Sequence, residues 1–340
     1  MSIPSLAKTL ETFRTRRDID NGDAETLLDA LIVERDETLL SDVFHAWDHK
    51  GIAEGEIYSI AKIMRDRCAK VNSRHTTFVD IVGTGGSRAK TFNVSTAAAF
   101  VVAGAEIPVA KHGNRAATSN SGSADVLSEL GIEPAVDAAT AERCLNEIGI
   151  CFMFAPNFHR LSPALGKVRR GLGFPTIFNC VGPLCNPASA PHQLIGVWSS
   201  EMVPKMAAAL ARLGTKRSWI VHGECGLDEV SLDGTTLVAE VQNDSARTFE
   251  ISPAGLSIGP QPLDLCRAGS AVESAALIRD VLAGRENSAA RSMVLLNAAA
   301  AIYLSGRVND LSAGAAVAAT SLESGAALAK LEALAAAVRS

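Results

Sequence analysis

The sequence predicts an α/β protein: a mostly parallel central sheet flanked by helices, with a small all-helical N-terminal subdomain. Three observations carry this. Residues 5–72 place apolar side chains at helical spacing with no strand pattern between them. From residue 75 onward strand-like and helix-like runs alternate, as a parallel sheet with crossover helices requires. Two successive strand-like runs each end in a glycine-bearing segment rich in donors, and in a parallel sheet both would emerge at one edge.

The elements follow in order. Helical segments fall near 5–16, 24–33, 37–49 and 54–70, with Asp23 and Asp36 placed to cap N-termini and Gly51 placed to close the third. A short β-like run at 78–82 ends in glycine; a helix follows over 95–104, a strand over 107–110, and a helix over 123–130 that stops at Gly131. Strands at 151–154, 194–197 and 218–221 and a helix at 202–213 continue the alternation. Residues 160–187 interrupt it: 163–170 is helical, glycines follow, and Pro183 and Pro187 punctuate a loop. That segment is expected to return to the N-terminal helices. The chain would then divide into a helical domain of 1–72, joined by helices from about 160–187, and an α/β domain of 73–340. The alanine-rich tail, 311–340, is expected as a helix packed on the sheet.

Composition narrows the function classes. The 340 residues are 47% hydrophobic and 20% charged, the balance of a folded globular chain. A net charge of -5 lacks the basic excess of a general nucleic-acid binder, yet leaves room for a locally cationic site. There is no apolar run of membrane-spanning length and no basic-then-apolar leader pattern at the start, so a soluble, cytoplasmic protein without membrane or nucleic-acid partners is expected. Cys68, Cys144, Cys151, Cys180, Cys185, Cys225 and Cys266 contain no CxxC pair and read as reduced thiols. All but Cys225 are expected as small buried hydrophobes; Cys225 falls in a loop assigned to the site.

Three segments carry chemistry. GTGG at 83–86 and NVST at 93–96 lead from a strand into a helix, so backbone N–H groups without side chains in front of them, a helix N-terminus and hydroxyl or amide donors could converge on an anion. A dinucleotide fingerprint would need glycine where Arg88 stands, and no GK[ST] closes a nucleotide-triphosphate loop. KHGNR at 111–115, followed by hydroxyl and amide side chains up to Ser123, offers two cations for charge-assisted bonds. His222 to Glu229 places adjacent carboxylates, Asp228 and Glu229, at the end of a strand, an oxygen-rich setting for Mg²⁺. Taken alone, each segment also fits a plainer role: a tight turn capped by Ser95, a solvated polar loop, and a solvated acidic turn or an acid–base pair.

Together these segments resemble the anthranilate phosphoribosyltransferase family, of the type II nucleoside-phosphorylase fold. GTGG…NVST at 83–96, KHGNR at 111–115, SGSADVL at 121–127, GLDE at 226–229 and the stretch 154–187 match in order, over roughly residues 5–335. The resemblance implies transfer of the 5-phosphoribosyl group of phosphoribosyl pyrophosphate to the amine of anthranilate, releasing pyrophosphate, in tryptophan biosynthesis. It implies Gly83, Gly86, Ser87, Thr91, Asn93, Ser95, Thr96, Lys111, Ser119 and Ser123 around phosphoribosyl pyrophosphate. Gly83, His112, Asn114, His159 and Arg169 would surround anthranilate, and Ser95, Asp228 and Glu229 would hold Mg²⁺. It assigns no catalytic acid or base and implies a homodimer. The competing readings are a pyrimidine nucleoside phosphorylase of the same fold and a non-catalytic, nucleic-acid-binding paralogue. In one departure, Ser87-Arg88 stands where the family usually has Asp then Gly, removing a carboxylate near the pyrophosphate; Arg88 would neutralise that anion directly.

Overall fold

The computed structural model describes residues 6–20, 22–87, 89–116, 121–256, 258–285 and 288–339. Helices α1 (Leu6–Arg14), α2 (Asp23–Val33), α3 (Glu37–Lys50) and α4 (Glu54–Arg67) open the chain. They are followed by β1 (Val79–Gly83), α5 (Val94–Gly104), β2 (Val109–Gly113), α6 (Ser123–Glu129), α7 (Ala138–Glu147) and β3 (Ile150–Phe154). Then come α8 (Ala155–Phe158), α9 (Pro163–Gly171), α10 (Ile177–Leu184), β4 (His192–Gly196), α11 (Met202–Leu213) and β5 (Arg217–Gly223). The chain ends with β6 (Thr236–Gln242), β7 (Ser245–Ile251), α12 (Ala271–Leu282), α13 (Ala289–Leu304), α14 (Leu311–Glu323) and α15 (Ala326–Ala337).

The caps follow side-chain chemistry. Asp36 accepts from Thr38 N and Leu39 N, and Gly51 ends α3 at φ 87°. Asp23 does not cap α2 as expected: it is the helix's first residue, and its own N–H donates to Asp20 Oδ1 at 2.8 Å. The tail also differs from expectation. It forms two helices rather than one, because Gly325 takes the left-handed region at φ 75°. α14 packs mainly on α13, and α15 mainly on α5, so helices rather than the sheet receive most of the tail.

The sheet has the order β3-β2-β1-β4-β5-β6-β7. Strands β1 to β5 pair in parallel, and β6 and β7 add an antiparallel hairpin at the edge. The hairpin turns through Asn243 and Asp244 at φ 52° and 59°, the conformation that a two-residue hairpin loop of this type selects. α5, the crossover after β1, packs in a core on one face with α13 and α15. α11, the crossover after β4, packs on the other face in a core shared with the N-terminal helices. Leu165, Val168, Ile177 and Phe178 from α9 and α10 join that second core beside Leu28 and Trp47. The chain therefore leaves β1 and β4 toward opposite faces, and a crevice opens between their carboxyl ends.

Two details of the sheet shape that crevice. Gly83 of β1 and Gly196 of β4 are register partners, and residue 228 lies across both. A Cβ on Gly83 would stand 2.7 Å from Asp228 Oδ2, and one on Gly196 would stand 1.5 Å from the Asp228 carbonyl oxygen. On the other side, β1 and β2 register only Val79 with Val109, whereas β1 and β4 continue from Val79–His192 to Gly83–Gly196. Side chains replace the missing ladder. Asp80 Oδ1 accepts from His112 N at 3.1 Å, Asn186 Nδ2 donates to Ala110 O at 2.8 Å, and Lys111 Nζ donates to Ile81 O. Buried backbone groups are thus satisfied while the strands part beneath the site.

Gly196→Ala tests the first detail. The added methyl meets backbone rather than a movable side chain, so a loss of about 2 kcal/mol or more is expected, read as a lower denaturation midpoint in guanidinium. Gly182→Ala, where nothing stands within 4 Å of the new Cβ, is the control for generic glycine replacement.

Candidate active site

One cavity gathers the three segments that the sequence singled out. Its lining includes Gly83, Gly86, Ser87, Thr91, Asn93 and Ser95 from the first, Lys111, His112, Asn114 and Ser123 from the second, and Asp228 and Glu229 from the third. Arg169 closes it from α9. Ser119 and Arg88 lie outside the described residues. Thr96 and His159 are placed outside the lining. Thr96 stands one position beyond Ser95, about 100° further around α5, and its Oγ1 is buried with no hydrogen-bond partner. His159 lies behind His112, with ring centroids 5.1 Å apart.

The first and third loops are joined. Gly85 and Gly86 take φ 65° and 78°, which bends the chain back after β1. Gly85 N then donates to Asp228 Oδ2 at 3.0 Å, and Ser87 Oγ donates to Gly226 O at 2.8 Å. Glu229 reaches the first turn of α5, where Ser95 N donates to its Oε1 at 3.2 Å. The helix N-terminus that would attract a substrate anion therefore already meets a carboxylate of the protein.

The second loop is held from below by Asp125, whose Oδ2 accepts from Ala116 N and Gly122 N, both at 2.9 Å. Gly122 permits this closeness, since a Cβ there would be 2.4 Å from Ala116 N. Above, Arg169 Nε donates to Thr176 Oγ1 at 3.3 Å and the guanidinium lies 5.0 Å from the Phe178 ring centroid. Asn179 Nδ2 donates to Thr84 O at 3.0 Å, joining α10 to the glycine loop.

Sequence reasoning missed Asn179 and Phe178, which line the cavity, and Asp80, Asn186 and Gly196, which shape it. The TIFNC run holds the first two but carries no spacing that marks a site. A lone Asp80 in an apolar strand was the available signal for the parted ladder.

Charge is concentrated and incompletely compensated. Burial lowers the Lys111 ammonium to about 8, opposed by Asp80 and Glu229. Burial lowers Arg169 to about 10, with Arg170 adding repulsion. Asp228 is raised mainly by desolvation, and Glu229 is raised well above the usual carboxylate range by desolvation and then by Asp228 beside it. These two carboxylates are more enclosed than a solvated acidic turn would be. Asp80, buried beneath the site, is pushed up to about 6 by desolvation. Six cysteines are buried and Cys225 is exposed, as the sequence indicated.

His112 and His159 form a buried neutral pair. His112 Nδ1 lies 3.0 Å from Gly182 O, an assignment that makes Nδ1 the donor and leaves Nε2 a bare acceptor. Nε2 of each ring is buried without a partner. Desolvation, then the neighbouring ring, lowers His112 to about 3; desolvation lowers His159 to about 4.

The family described as glycosyl transferase family, a/b domain, matches residues 75–328. The chain is 45% identical to the anthranilate phosphoribosyltransferase of Pelotomaculum thermopropionicum, over 84% of this chain and 82% of that protein. It is 46% identical to that of Roseiflexus sp., over 84% of each. Among solved structures, the Thermus thermophilus anthranilate phosphoribosyltransferase superposes with a TM-score of 0.89 at 35% identity, covering 98% of this chain and 99% of the other. The Saccharomyces cerevisiae enzyme in complex with PRPP and Mg superposes with a TM-score of 0.87 at 30% identity, covering 98% of each chain.

The histidine pair has a measurable consequence. An unfolded chain takes up a proton at each imidazole near pH 6.5, whereas folded His159 resists until about pH 4 and His112 until about pH 3. Stability is therefore fully present above pH 6.5 and falls as pH drops toward those values. His159→Gln should flatten the acid limb of denaturant-derived stability by about 3 kcal/mol between neutral and strongly acidic pH. An acid limb identical to that of the parent would show that His159 is not held neutral.

Proposed function

We infer the chemistry of the cavity from one premise: the chain belongs to the anthranilate phosphoribosyltransferase family. It is a pentosyltransferase of tryptophan biosynthesis, moving the 5-phosphoribosyl group of phosphoribosyl pyrophosphate to the anthranilate amine and releasing pyrophosphate. The observation that carries the assignment of residues is the convergence of a donor-rich glycine loop, a cationic loop and an acidic pair on one cavity closed by Arg169.

In our reading the anionic ends of phosphoribosyl pyrophosphate meet Gly83, Gly86, Ser87, Thr91, Asn93, Ser95, Lys111 and Ser123. Ser119 belongs to the same proposed set. Thr96, with its hydroxyl buried, would support Ser95 and the helix terminus rather than touch the substrate. Anthranilate would enter between Gly83, Asn114, His112 and Arg169. The Arg169 fork, bonded through Nε to a threonine hydroxyl and set against the Phe178 ring, suits the carboxylate of that substrate. His159 would act through His112, by holding that ring neutral and in place.

Mg²⁺ fits the acidic pair. Asp228, Glu229 and Ser95 supply hard oxygen donors; desolvation raises both carboxyl groups, and Asp228 beside it raises Glu229 further, a cost that a divalent cation would relieve. When bound, the ion would neutralise negative charge on the departing pyrophosphate. The remaining steps fall to the protein. Lys111 and the loop donors hold the leaving group, Arg169 orients the acceptor, and enclosure excludes water that would hydrolyse the sugar. The bond from the anomeric carbon to pyrophosphate breaks as the bond to the amine nitrogen forms, and the acidic ammonium so produced releases its extra proton to the departing pyrophosphate or to water. An aromatic amine is neutral at physiological pH, so no catalytic acid or base is assigned.

Two coarser readings accompany this. We propose the division into a helical unit of 1–72 with helices from about 160–187 and an α/β unit of 73–340, supported by the core that α9 and α10 share with the N-terminal helices. We also propose a cytoplasmic homodimer through the outer face of α1 to α4; among the described residues no helix is long and apolar enough to cross a membrane. Light scattering that returns a monomer mass at micromolar concentration would remove the dimer.

Anthranilate fluorescence should fall only when phosphoribosyl pyrophosphate and Mg²⁺ are both present. Asp228→Asn combined with Glu229→Gln should lower turnover by roughly a thousandfold. Near-parental turnover in that variant at every Mg²⁺ concentration would remove the metal assignment. Arg169→Lys keeps the charge but loses the fork, and should raise the anthranilate KM about tenfold or more with a smaller effect on the pyrophosphate substrate.

A further inference from the structure

We propose that Ser274, remote in sequence from all three loops, is a positioning residue that sets which end of the Asn93 amide faces the substrate anion. The proposal rests on the reading above that this cavity takes phosphoribosyl pyrophosphate. Ser274 lies in the second turn of α12, is fully buried, and its backbone N–H is bound to Ser270 O at 3.0 Å. Its hydroxyl makes two bonds to the same residue: it accepts from Asn93 N at 2.9 Å and donates to Asn93 Oδ1 at 2.9 Å. Ser121 Oγ donates to that same Oδ1 at 2.8 Å.

Two donors occupy the two lone-pair directions of Oδ1. With the amide placed this way, each hydroxyl can direct its one O–H at Oδ1 while Ser274 Oγ accepts from Asn93 N, a network that favours the oxygen facing the two serines. Nδ2, 3.4 Å from Ser121 O, becomes the end presented to the cavity that Asn93 lines. A group that only donates suits diphosphate, which only accepts. The same bonds draw the glycine loop and the cationic loop together, because Asn93 belongs to one and Ser121 to the other. Without the Ser274 hydroxyl, Oδ1 keeps one donor, Asn93 N loses its acceptor, and the amide is free to turn its oxygen toward the anion.

The test uses the full chain and two readouts: calorimetric titration with inorganic pyrophosphate and Mg²⁺, and steady-state kinetics with both substrates. Ser274→Ala should weaken pyrophosphate binding and raise the phosphoribosyl pyrophosphate KM about tenfold, with kcat and the anthranilate KM changed less than about twofold. Asn93→Asp, which substitutes an acceptor for the donor, should bind pyrophosphate more weakly than Asn93→Ala. In the Asn93→Ala background, Ser274→Ala should add nothing further. Parental affinity and KM in Ser274→Ala, additive losses in the double variant, or Asn93→Asp binding at least as well as Asn93→Ala would each overturn the proposal. The Asn93 pair leaves Ser274 untouched, so the orientation is tested even if Ser274→Ala folds poorly. Parental protein that binds pyrophosphate yet leaves anthranilate unconsumed would count against the reading of the reaction, not against the role of Ser274.

Discussion

Residue 228 can approach the sheet because two neighbouring strands end in glycine. With Gly83 and Gly196 side by side, the backbone of the acidic loop comes within a methyl group's reach of β4 while its carboxylate sits against β1. A larger residue at 196 would meet backbone and push the loop away, and one at 83 would displace the Asp228 carboxylate. Asp228 and Glu229 would then stand in solvent, far from the donors of the glycine loop and from Lys111. The crevice is supplied by topology, since the chain leaves β1 and β4 toward opposite faces. The glycines decide how deeply the acidic pair enters it.

Once there, the groups place opposing demands on one another. Lys111 is a buried cation and Arg169 a half-buried one, both with protonated forms disfavoured by desolvation, and Asp228 and Glu229 are carboxylates whose ionised forms are disfavoured. Neither set neutralises the other fully, because Lys111 spends its ammonium on the Ile81 carbonyl and the Ser95 hydroxyl. A substrate with a polyanionic end and a carboxylate, arriving with a divalent cation, would supply the missing charge of both signs. Binding energy of that kind is electrostatic and prepaid by the fold, which is the arrangement that stabilises a departing pyrophosphate without a proton donor.

Much of this was legible in the sequence, and the failures have physical causes. Loop chemistry is local: glycines, hydroxyls and charges crowd into short runs after apolar strands, so the GTGG, KHGNR and GLDE segments declared themselves. Asp36 and Gly51 followed capping rules for the same reason. What was not legible depends on contact between distant parts of the chain. Asp80 looks like an ordinary polar residue in a strand until β2 parts from β1 and His112 N needs an acceptor. Ser274 looks like any helix serine until α12 packs beside α5. Thr96, expected as a donor beside Ser95, has its hydroxyl buried and lies outside the cavity lining, a placement set by the turn of α5. The hairpin of β6 and β7 escaped because Asn-Asp is a weaker turn signal than Asn-Gly.

The departure at Ser87 now has a structural meaning. Where the resemblance would put a carboxylate, a hydroxyl stands 2.7 Å from the carbonyl oxygen of Ala89 and 2.8 Å from that of Gly226, able to donate to either and so to bridge the glycine loop to the loop that carries Asp228. An aspartate in that place could not donate to a carbonyl. It would also bring a third negative charge beside two carboxyl groups already raised by desolvation. The exchange therefore removes a carboxylate and adds a tether. Fewer negative charges then meet at this corner, and Asp228 is held by the Gly85 N–H while Ser87 lies against the backbone of its loop. Such a site is assembled before its ligands arrive, which lowers the ordering cost of binding them.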